Sequence, residues 1–443
     1  MRVNETDLAA ETLRPGDEEY DEAARVFMAV GEPALVVRPR DADEVAAAIA
    51  LAVRDDLAVS VRSGGHSPRG HSTNVGGMVI DVRRIDAIEV LDAQRRIVRV
   101  GGGATLDQVA VALDRRGWGL TSGDTKSVGV GGLTLGGGMG WMVRRYGLAI
   151  DQLVAARVVT ADGRVLTASA EEHPDLFWAL RGGGGNFGVV VDFDFVVQET
   201  TTVHYGAISY RVDDPADLLT RWRDAMRAAP DELSSTLALP PQLPGVPPSA
   251  LVLVCYSHEP GAPMTEADAA LEPLLELGTV IEANITERRF ADVLEEPFRP
   301  PGFRAASRDT LVSTLDDDVI AAVVAAHQGP APTAFAVRSL GGAFARVPAD
   351  ATAFAHRDAE VMIVCAVLVP EDAPDEELDA ALGPWQAVAA RGTGTYIGFQ
   401  GSATAEDVAA AYPPATYARL AEVKRDYDPD NVFALNHNVV PAV

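Results

Sequence analysis

The chain has 443 residues, 47% of them apolar, which is too many for one typical core and points to two or three domains. Its 37 lysines and arginines against 64 aspartates and glutamates leave a net charge of −27, which repels nucleic acid and anionic membranes and says little about a small neutral substrate. Two cysteines, Cys255 and Cys365, lie far apart in apolar runs outside any C-x-x-C, so nothing suggests a disulfide framework and buried free thiols are expected. The acid-rich stretch Met1 to Tyr20 has no apolar h-region, so no signal peptide is read. The longest apolar run, Val361 to Val369, is far too short to span a bilayer. A soluble, cytoplasmic protein is the default expectation.

Residues 1–30 read as a polar lead-in followed by a short helix, and Pro33 to Arg38 as a strand. Asp41-Ala42-Asp43-Glu44 has the D-x-x-E form of a capping box. Val45, Ile49, Ala52 and Val53 share a helical face, which predicts an amphipathic helix over 42–54. From Val61 to Val82 a β-branched run stops at Gly64-Gly65, His66 follows directly, and a second apolar run begins at Met78. The local reading is strand, glycine turn, strand. Paired glycines let a backbone come very close to a partner because they carry no Cβ, so His66 is aimed at whatever the backbone approaches. An ordinary hairpin with an exposed histidine is the alternative, and this stretch alone leaves both open.

Ile97 to Val100 is a further strand, ending in Gly101-Gly102-Gly103. Thr105 caps a helix with Leu106, Val109, Ala110 and Leu113 inward, closed by Gly117. Residues 123–140 are dense in glycine. Leu153 to Thr160 and Arg164 to Ala168 form a hairpin about Asp162-Gly163. Asp175 to Leu180 reads as helix, 182–188 as another glycine cluster, and Val189 to Val197 as strand. After about residue 200 the glycine clusters vanish. Strands at Ala250 to Tyr256, Ala334 to Leu340 and Val361 to Val369 alternate with helices at Pro215 to Ala229, Asp316 to His327 and Asp375 to Ala390. Pro240 to Pro248 is a proline-rich connector, and the tail returns to helix over Ala415 to Tyr427.

Familiar signatures fail on context. Gly183 to Gly188 spells G-x-G-x-x-G, but a helix precedes it and a β-rich run follows, the reverse of a dinucleotide turn. Thr125 stands where a P-loop before Lys126-Ser127 needs glycine, and Arg69 where a nucleophile elbow at Gly65-His66-Ser67 needs one. No H-E-x-x-H or helically spaced histidine pair is present, which argues against metal catalysis. Four glycine clusters (64–65, 101–103, 129–140 and 182–188) remain in one half of the chain. Such turns suit a large planar cofactor whose pyrophosphate is cradled by backbone N–H groups. For any single cluster, a loop-rich protein with tight turns is the alternative.

Arg62-Ser63-Gly64-Gly65-His66-Ser67 comes first, then Gly129-Val130-Gly131-Gly132 with Gly136-Gly137-Gly138-Met139-Gly140. Leu180-Arg181-Gly182-Gly183-Gly184-Gly185-Asn186-Phe187-Gly188 follows, then Tyr427-Asp428-Pro429-Asp430-Asn431 with Asn436-His437-Asn438. In this order the motifs resemble the flavoprotein oxidases of the berberine bridge enzyme type. That family lies in the vanillyl-alcohol oxidase superfamily, with its PCMH-type FAD domain. The resemblance covers nearly the whole chain and is looser in the middle, through Ser339-Leu340-Gly341-Gly342-Ala343 and Phe354-Ala355-His356-Arg357. It implies an α+β fold. A lead-in (1–30) precedes a two-part PCMH-type FAD-binding domain (31–200). An α+β substrate domain with a mainly antiparallel sheet (201–400) follows, and a C-terminal segment (401–443) packs back on the FAD domain.

The resemblance implies FAD contacts from Arg62, Ser63, Gly64, Gly65, Ser67, Gly123, Thr125, Val128, Gly129, Gly131, Gly132, Gly136, Gly140, Asn186, Gly188, Asn436 and Asn438. His66 matches the histidine bonded covalently to the flavin 8α-methyl; a neutral imidazole is a nucleophile toward it. The attached ring withdraws electrons and should raise the flavin potential. Many members add a cysteine link in the pattern G-x-C-P-x-V-G. Here Gly123 to Gly129 places Thr125 at the cysteine position, so one covalent link is implied. His71 lies outside the matched motif and ranks below His66. His437 is the best of the other histidines for a cofactor contact.

The family often supplies its base from Tyr-x-Asn-Tyr, which reads Tyr396-Ile397-Gly398-Phe399 here, and Phe399 cannot take a proton. Tyr396 and Tyr146 are the catalytic candidates. The alternatives are a core aromatic for Tyr396 and a prop beneath the glycine loop for Tyr146. Arg338 and Arg357 are candidates for an acidic substrate group, with salt bridges as the alternative. The implied activity is hydride transfer from an alcohol, sugar or secondary metabolite to FAD, with reoxidation by O2 to H2O2. A dehydrogenase with another acceptor and a flavin-binding protein without oxidase chemistry are the rivals. The implied partners are a small-molecule substrate and O2, without nucleic acid or membrane, in a monomer or homodimer.

Overall fold

The computed structural model describes residues 8–200, 202–242, 245–258, 264–296 and 302–443. The start of the lead-in and part of the proline-rich connector lie outside these. Leu35–Arg38 and Val59–Arg62 flank Met78–Asp81, both parallel to it, and Glu11–Leu13 adds an antiparallel edge. The strands on either side of His66 are therefore parallel neighbours, which corrects the hairpin alternative. A parallel pair needs a connection that travels back along the sheet, so residues 63–77 form a long crossing loop instead of a tight turn.

Helix Ala42–Arg54 covers this sheet, with Val45, Ala48, Ile49 and Ala52 buried against Leu35, Val37, Met78 and Ile80. Val53 is half exposed and drops out of the expected face. Asp41 caps the helix by accepting the Glu44 N–H at 2.9 Å. The Glu44 carboxylate reaches past the cap residue to the Arg40 N–H, also at 2.9 Å.

The second sheet is antiparallel, in the order Ile88–Asp92, Ile97–Gly101, Val189–Val196, Leu153–Val159 and Val165–Ser169. Helix Leu106–Asp114 starts in a full capping box of Thr105 and Gln108. The glycine-dense stretch holds a short helix, Val130–Gly136, that periodicity does not show.

The third sheet has seven antiparallel strands. Their order is Thr279–Arg289, Thr202–Arg211, Ser249–Tyr256, Leu233–Leu239, Thr333–Ser339, Val361–Pro370 and Phe303–Val312. Phe335, Cys365 and Val367 face the helices Pro215–Ala228 and Asp317–His327, while Ala334, Ala366 and Leu368 alternate onto the opposite face. The expected helix 375–390 is two helices, Asp375–Leu382 and Trp385–Ala389, broken at Pro384, which has no N–H to continue the ladder. Helix Pro414–Tyr427 returns to the first half of the chain, where Leu420, Val423 and Tyr427 join Trp178 and Phe187 in one core. Cys255 and Cys365 are buried and free. No helix among the described residues is long and apolar enough to cross a membrane.

Candidate active site

The glycine clusters converge because their backbones touch. A Cβ on Gly129 would lie 2.1 Å from the Gly64 nitrogen and from Ser63 Oγ, and one on Gly64 would lie 2.2 Å from the Gly129 nitrogen. No larger residue fits where these two loops cross. Ser63 Oγ donates to the Gly102 carbonyl at 2.7 Å, and a Cβ on Gly131 would meet the same carbonyl at 2.7 Å. Three clusters are thus tied into one knot. The fourth joins through Gly184, whose N–H donates to the Leu135 carbonyl at 3.0 Å.

The tail locks this arrangement. Asn186 donates to the carbonyls of Gly183 (2.8 Å) and His437 (3.2 Å) and accepts the Val439 N–H (3.0 Å). Lys424, fully buried, donates to the carbonyls of Asn186 and Phe433 and to Asp428, each at 2.9 Å. Asp428 in turn accepts the N–H groups of Val432 (2.8 Å) and Phe433 (3.0 Å). The tail motif is therefore a turn built around a buried ion pair.

Between the knot, the tail and the seven-stranded sheet lies a cavity of about 640 Å3. Its wall brings together Ser63, Gly64, Gly65, His66, Ser67, Gly123, Thr125, Val128, Gly129, Gly131, Gly132, Asn186, Gly188, Asn436 and Tyr396, with His71 and His437. Five of the residues expected to touch FAD or act in catalysis lie off that wall. Arg62 is buried and donates to the Ala23 carbonyl at 2.6 Å, which fastens the chain behind the loop. Gly136 packs under Ile397, and Gly140 sits where a Cβ would be 2.0 Å from the Ser122 carbonyl oxygen. Asn438 lies beside the wall with a buried Oδ1 that has no partner among the described residues. Tyr146 lies outside the cavity beneath the Arg145 guanidinium, 4.8 Å from its ring centre, and packs against the cluster of Trp141 and Met142.

His66 stacks on Phe27 with ring centres 4.8 Å apart. Its Nε2 lies 2.9 Å from Ser127 Oγ, and Ser127 donates to Glu296 at 2.6 Å. Burial holds the imidazole below its usual pKa, against the pull of Glu296, so the ring is neutral at neutral pH. His71, 5.4 Å from the His437 ring, is pushed down to about 3 by burial, with smaller contributions from His437 and Arg69.

Residues 33–169 match the family model described as FAD binding domain, and residues 395–440 the one described as Berberine and berberine like. The (R)-6-hydroxynicotine oxidase of Paenarthrobacter nicotinovorans is 31% identical over 98% of this chain and 97% of its own length. The chain belongs to the berberine bridge enzyme-like FAD-linked oxidases. The structure of 6-hydroxy-D-nicotine oxidase from Arthrobacter nicotinovorans superposes with a TM-score of 0.87 at 29% identity, covering 98% of both chains. A glucooligosaccharide oxidase from Acremonium strictum, described with a 6-S-cysteinyl, 8α-N1-histidyl FAD, shares the fold at 24% identity, with a TM-score of 0.84 over 98% of both chains. The α+β, PCMH-type architecture of this FAD-linked oxidase is that of its structural neighbours.

The wall of the oxidase's cavity fits FAD. His71 Nε2, Tyr412 Oη and Asn436 Oδ1 are buried there without a partner among the described residues, and polar atoms so placed call for a ligand with donors and acceptors. Tyr396 reaches the cavity from the other side. Its hydroxyl accepts the Gly138 N–H at 3.2 Å, and burial pushes its pKa up to about 12, so it keeps its proton. Arg357 is closed in a buried fork on Asp151, with both contacts at 2.8 Å, and is not offered to a substrate. Arg338 pairs with Asp124 at the cavity edge and lies over Trp141.

Three neighbours of the site escaped sequence reasoning. Ser127 occupies a variable position of the motif whose cysteine position holds Thr125. Glu296 comes from a segment with no local signal. Asp309 accepts the Tyr396 N–H at 2.6 Å and the Thr395 hydroxyl at 2.9 Å, and so fixes the backbone beneath Tyr396.

Burial pushes the Asp309 carboxyl up to about 7, against the pull of those two hydrogen bonds. The folded chain therefore retains a proton there that the unfolded chain, with its carboxyl at about 4, has already released. The group's contribution to stability is full below pH of about 4 and is lost as pH rises to about 7. Asp309→Asn is expected to flatten that part of a profile of urea midpoint against pH.

Proposed function

We propose that this chain is an oxidase that holds FAD through a single covalent bond to His66 and oxidises a small, mostly apolar molecule at a carbon bearing an amine or hydroxyl. When bound, FAD accepts the hydride and passes its electrons to O2, giving H2O2. The observation that carries the reading is His66 itself, a neutral imidazole held at the crossing of two glycine loops. Its Nδ1 has no partner among the described residues, while Nε2 is engaged by Ser127. The chain supplies no cysteine for a second link, because Thr125 lines the wall at that position.

The substrate class follows from the opposite wall. Pro241, Ala306, Ala334, Ala366, Leu368 and Phe399 form a nearly apolar face, and the Ser307 hydroxyl is spent on the Phe399 carbonyl at 2.8 Å. The hydroxyls of a sugar would be left unpaired against it. Tyr396, held neutral, orients the substrate as a hydrogen-bond donor and does not start the reaction as a base. An amine that enters unprotonated needs no such base, and the relative named for oxidising 6-hydroxynicotine supports that choice. Tyr146 takes no part in this reading.

Anaerobic mixing with a panel of aromatic amines, aromatic alcohols and oligosaccharides is expected to bleach the flavin with the first two groups only. In air the same substrates should yield peroxide; turnover only with an artificial acceptor would instead mark a dehydrogenase. Tyr396→Phe is expected to slow anaerobic reduction about threefold to tenfold, the value of one hydrogen bond. It should leave the covalent flavin content unchanged.

A further inference from the structure

We infer that Ser127 and Glu296 form a proton relay that sets the tautomer of His66 and removes its proton as the bond to FAD forms. The inference rests on His66 being the attachment residue.

The geometry allows only one sense of hydrogen bonding. An ionised Glu296 accepts and cannot donate, so the Ser127 hydroxyl hydrogen lies on the 2.6 Å contact between them. A serine has one hydrogen to give. At the 2.9 Å contact Ser127 Oγ must therefore accept, and His66 must donate from Nε2. A neutral imidazole with its hydrogen on Nε2 has its lone pair on Nδ1, the nitrogen without a partner among the described residues.

The relay is held in place by backbone. Lys126 N–H donates to the Glu295 carbonyl at 3.1 Å, and Glu295 N–H donates to the Asp124 carbonyl at 3.0 Å. These bonds stitch Glu295 to the loop that carries Thr125 and set Glu296 beside Ser127. The same loop carries the cysteine in doubly linked relatives; here its serine is turned to the histidine.

A C–H bond of the flavin 8α-methyl breaks and a C–N bond to Nδ1 forms. Two hydrogens leave in all, one from the methyl and one from Nε2. Two electrons remain on the flavin and pass to O2, so the two hydrogens and O2 end as H2O2. Bond formation at Nδ1 puts positive charge on a ring that burial keeps from water. Passing the Nε2 proton through Ser127 to Glu296 relieves that charge, and Glu296, being exposed, returns it to solvent.

The test follows acid-stable flavin against time in air after adding FAD to wild type, Ser127→Ala, Ser127→Thr and Glu296→Gln, each produced in riboflavin-starved cells and purified free of flavin. FAD retained under native conditions is measured in parallel. Ser127→Ala and Glu296→Gln are expected to retain FAD but to gain the acid-stable link about a hundredfold more slowly. Ser127→Thr, which keeps the hydroxyl, should restore the wild-type rate, a rescue that a merely structural role would not require. A wild-type rate in either Ser127→Ala or Glu296→Gln would overturn the relay. Acid-labile flavin in the wild type itself would overturn the attachment reading and the relay with it. Glu296 is exposed, so Glu296→Gln decides the matter even if Ser127→Ala folds poorly.

Discussion

His66→Ala is expected to take acid-stable flavin from one per chain to none, while FAD remains bound non-covalently. The knot that shapes the cavity is made of backbone at Gly64, Gly129 and Gly131 and of Ser63 Oγ, and none of these contacts passes through the imidazole. Losing the side chain therefore removes the bond without removing the cradle. The stack on Phe27 and the partner of Ser127 go with it, and both are local. The free flavin lacks the electron-withdrawing ring, so its potential falls and substrate reduces it more slowly. Acid precipitation followed by absorbance of pellet and supernatant measures the first effect, and anaerobic stopped-flow the second. His71→Ala is the control and keeps the flavin in the pellet. Acid-stable flavin in His66→Ala would assign the link elsewhere.

The second large effect is on stability. Lys424→Met is expected to cost about 3–5 kcal/mol, because it leaves Asp428 as an uncompensated buried charge. That is a large share of the total stability of a typical protein. The three hydrogens of the Lys424 ammonium are all used, on two carbonyls and a carboxylate, so its removal strips both carbonyls of this donor and leaves the Asp428 charge with the Val432 and Phe433 N–H groups alone. The loss also reaches the cofactor site, since one of those carbonyls belongs to Asn186, and Asn436 donates to the Phe433 and Gly185 carbonyls at 3.0 and 3.2 Å. Urea unfolding of the purified protein and the rate of FAD release from the His66→Ala background measure the two consequences. A midpoint change worth less than about 1 kcal/mol would show that the pair is dispensable.

Much of this arrangement is legible in the residues. Asp41 and the spacing of Val45, Ile49 and Ala52 mark a helix that the structure has at Ala42–Arg54. The paired and tripled glycines signal close approach, and the crossing at Gly64 and Gly129 is such an approach. Other features have no local signature. Thr279–Arg289 forms the sheet edge with nearly every residue exposed, so no apolar alternation announces it. The β-branched run at Val59–Arg62 and the apolar run at Met78–Asp81 say strand, but pairing direction depends on the path of the loop between them. Ser127 and Glu296 stand 169 residues apart and meet where the backbone of Glu295 pairs with the loop at Asp124 and Lys126. Asp309 stands in the polar run Ser307 to Thr310; only the fold shows it buried beneath Tyr396.

The central claim is the single bond at His66, and peptide mapping of the wild-type protein tests it most directly. Trypsin cuts after Arg62 and Arg69, which separates His66 from His71 and from Thr125. The flavin is expected on the peptide Ser63 to Arg69, one per chain, with none on any other peptide. Flavin on the peptide that begins at Gly70, on a second peptide as well, or released entirely from acid-precipitated protein would contradict it.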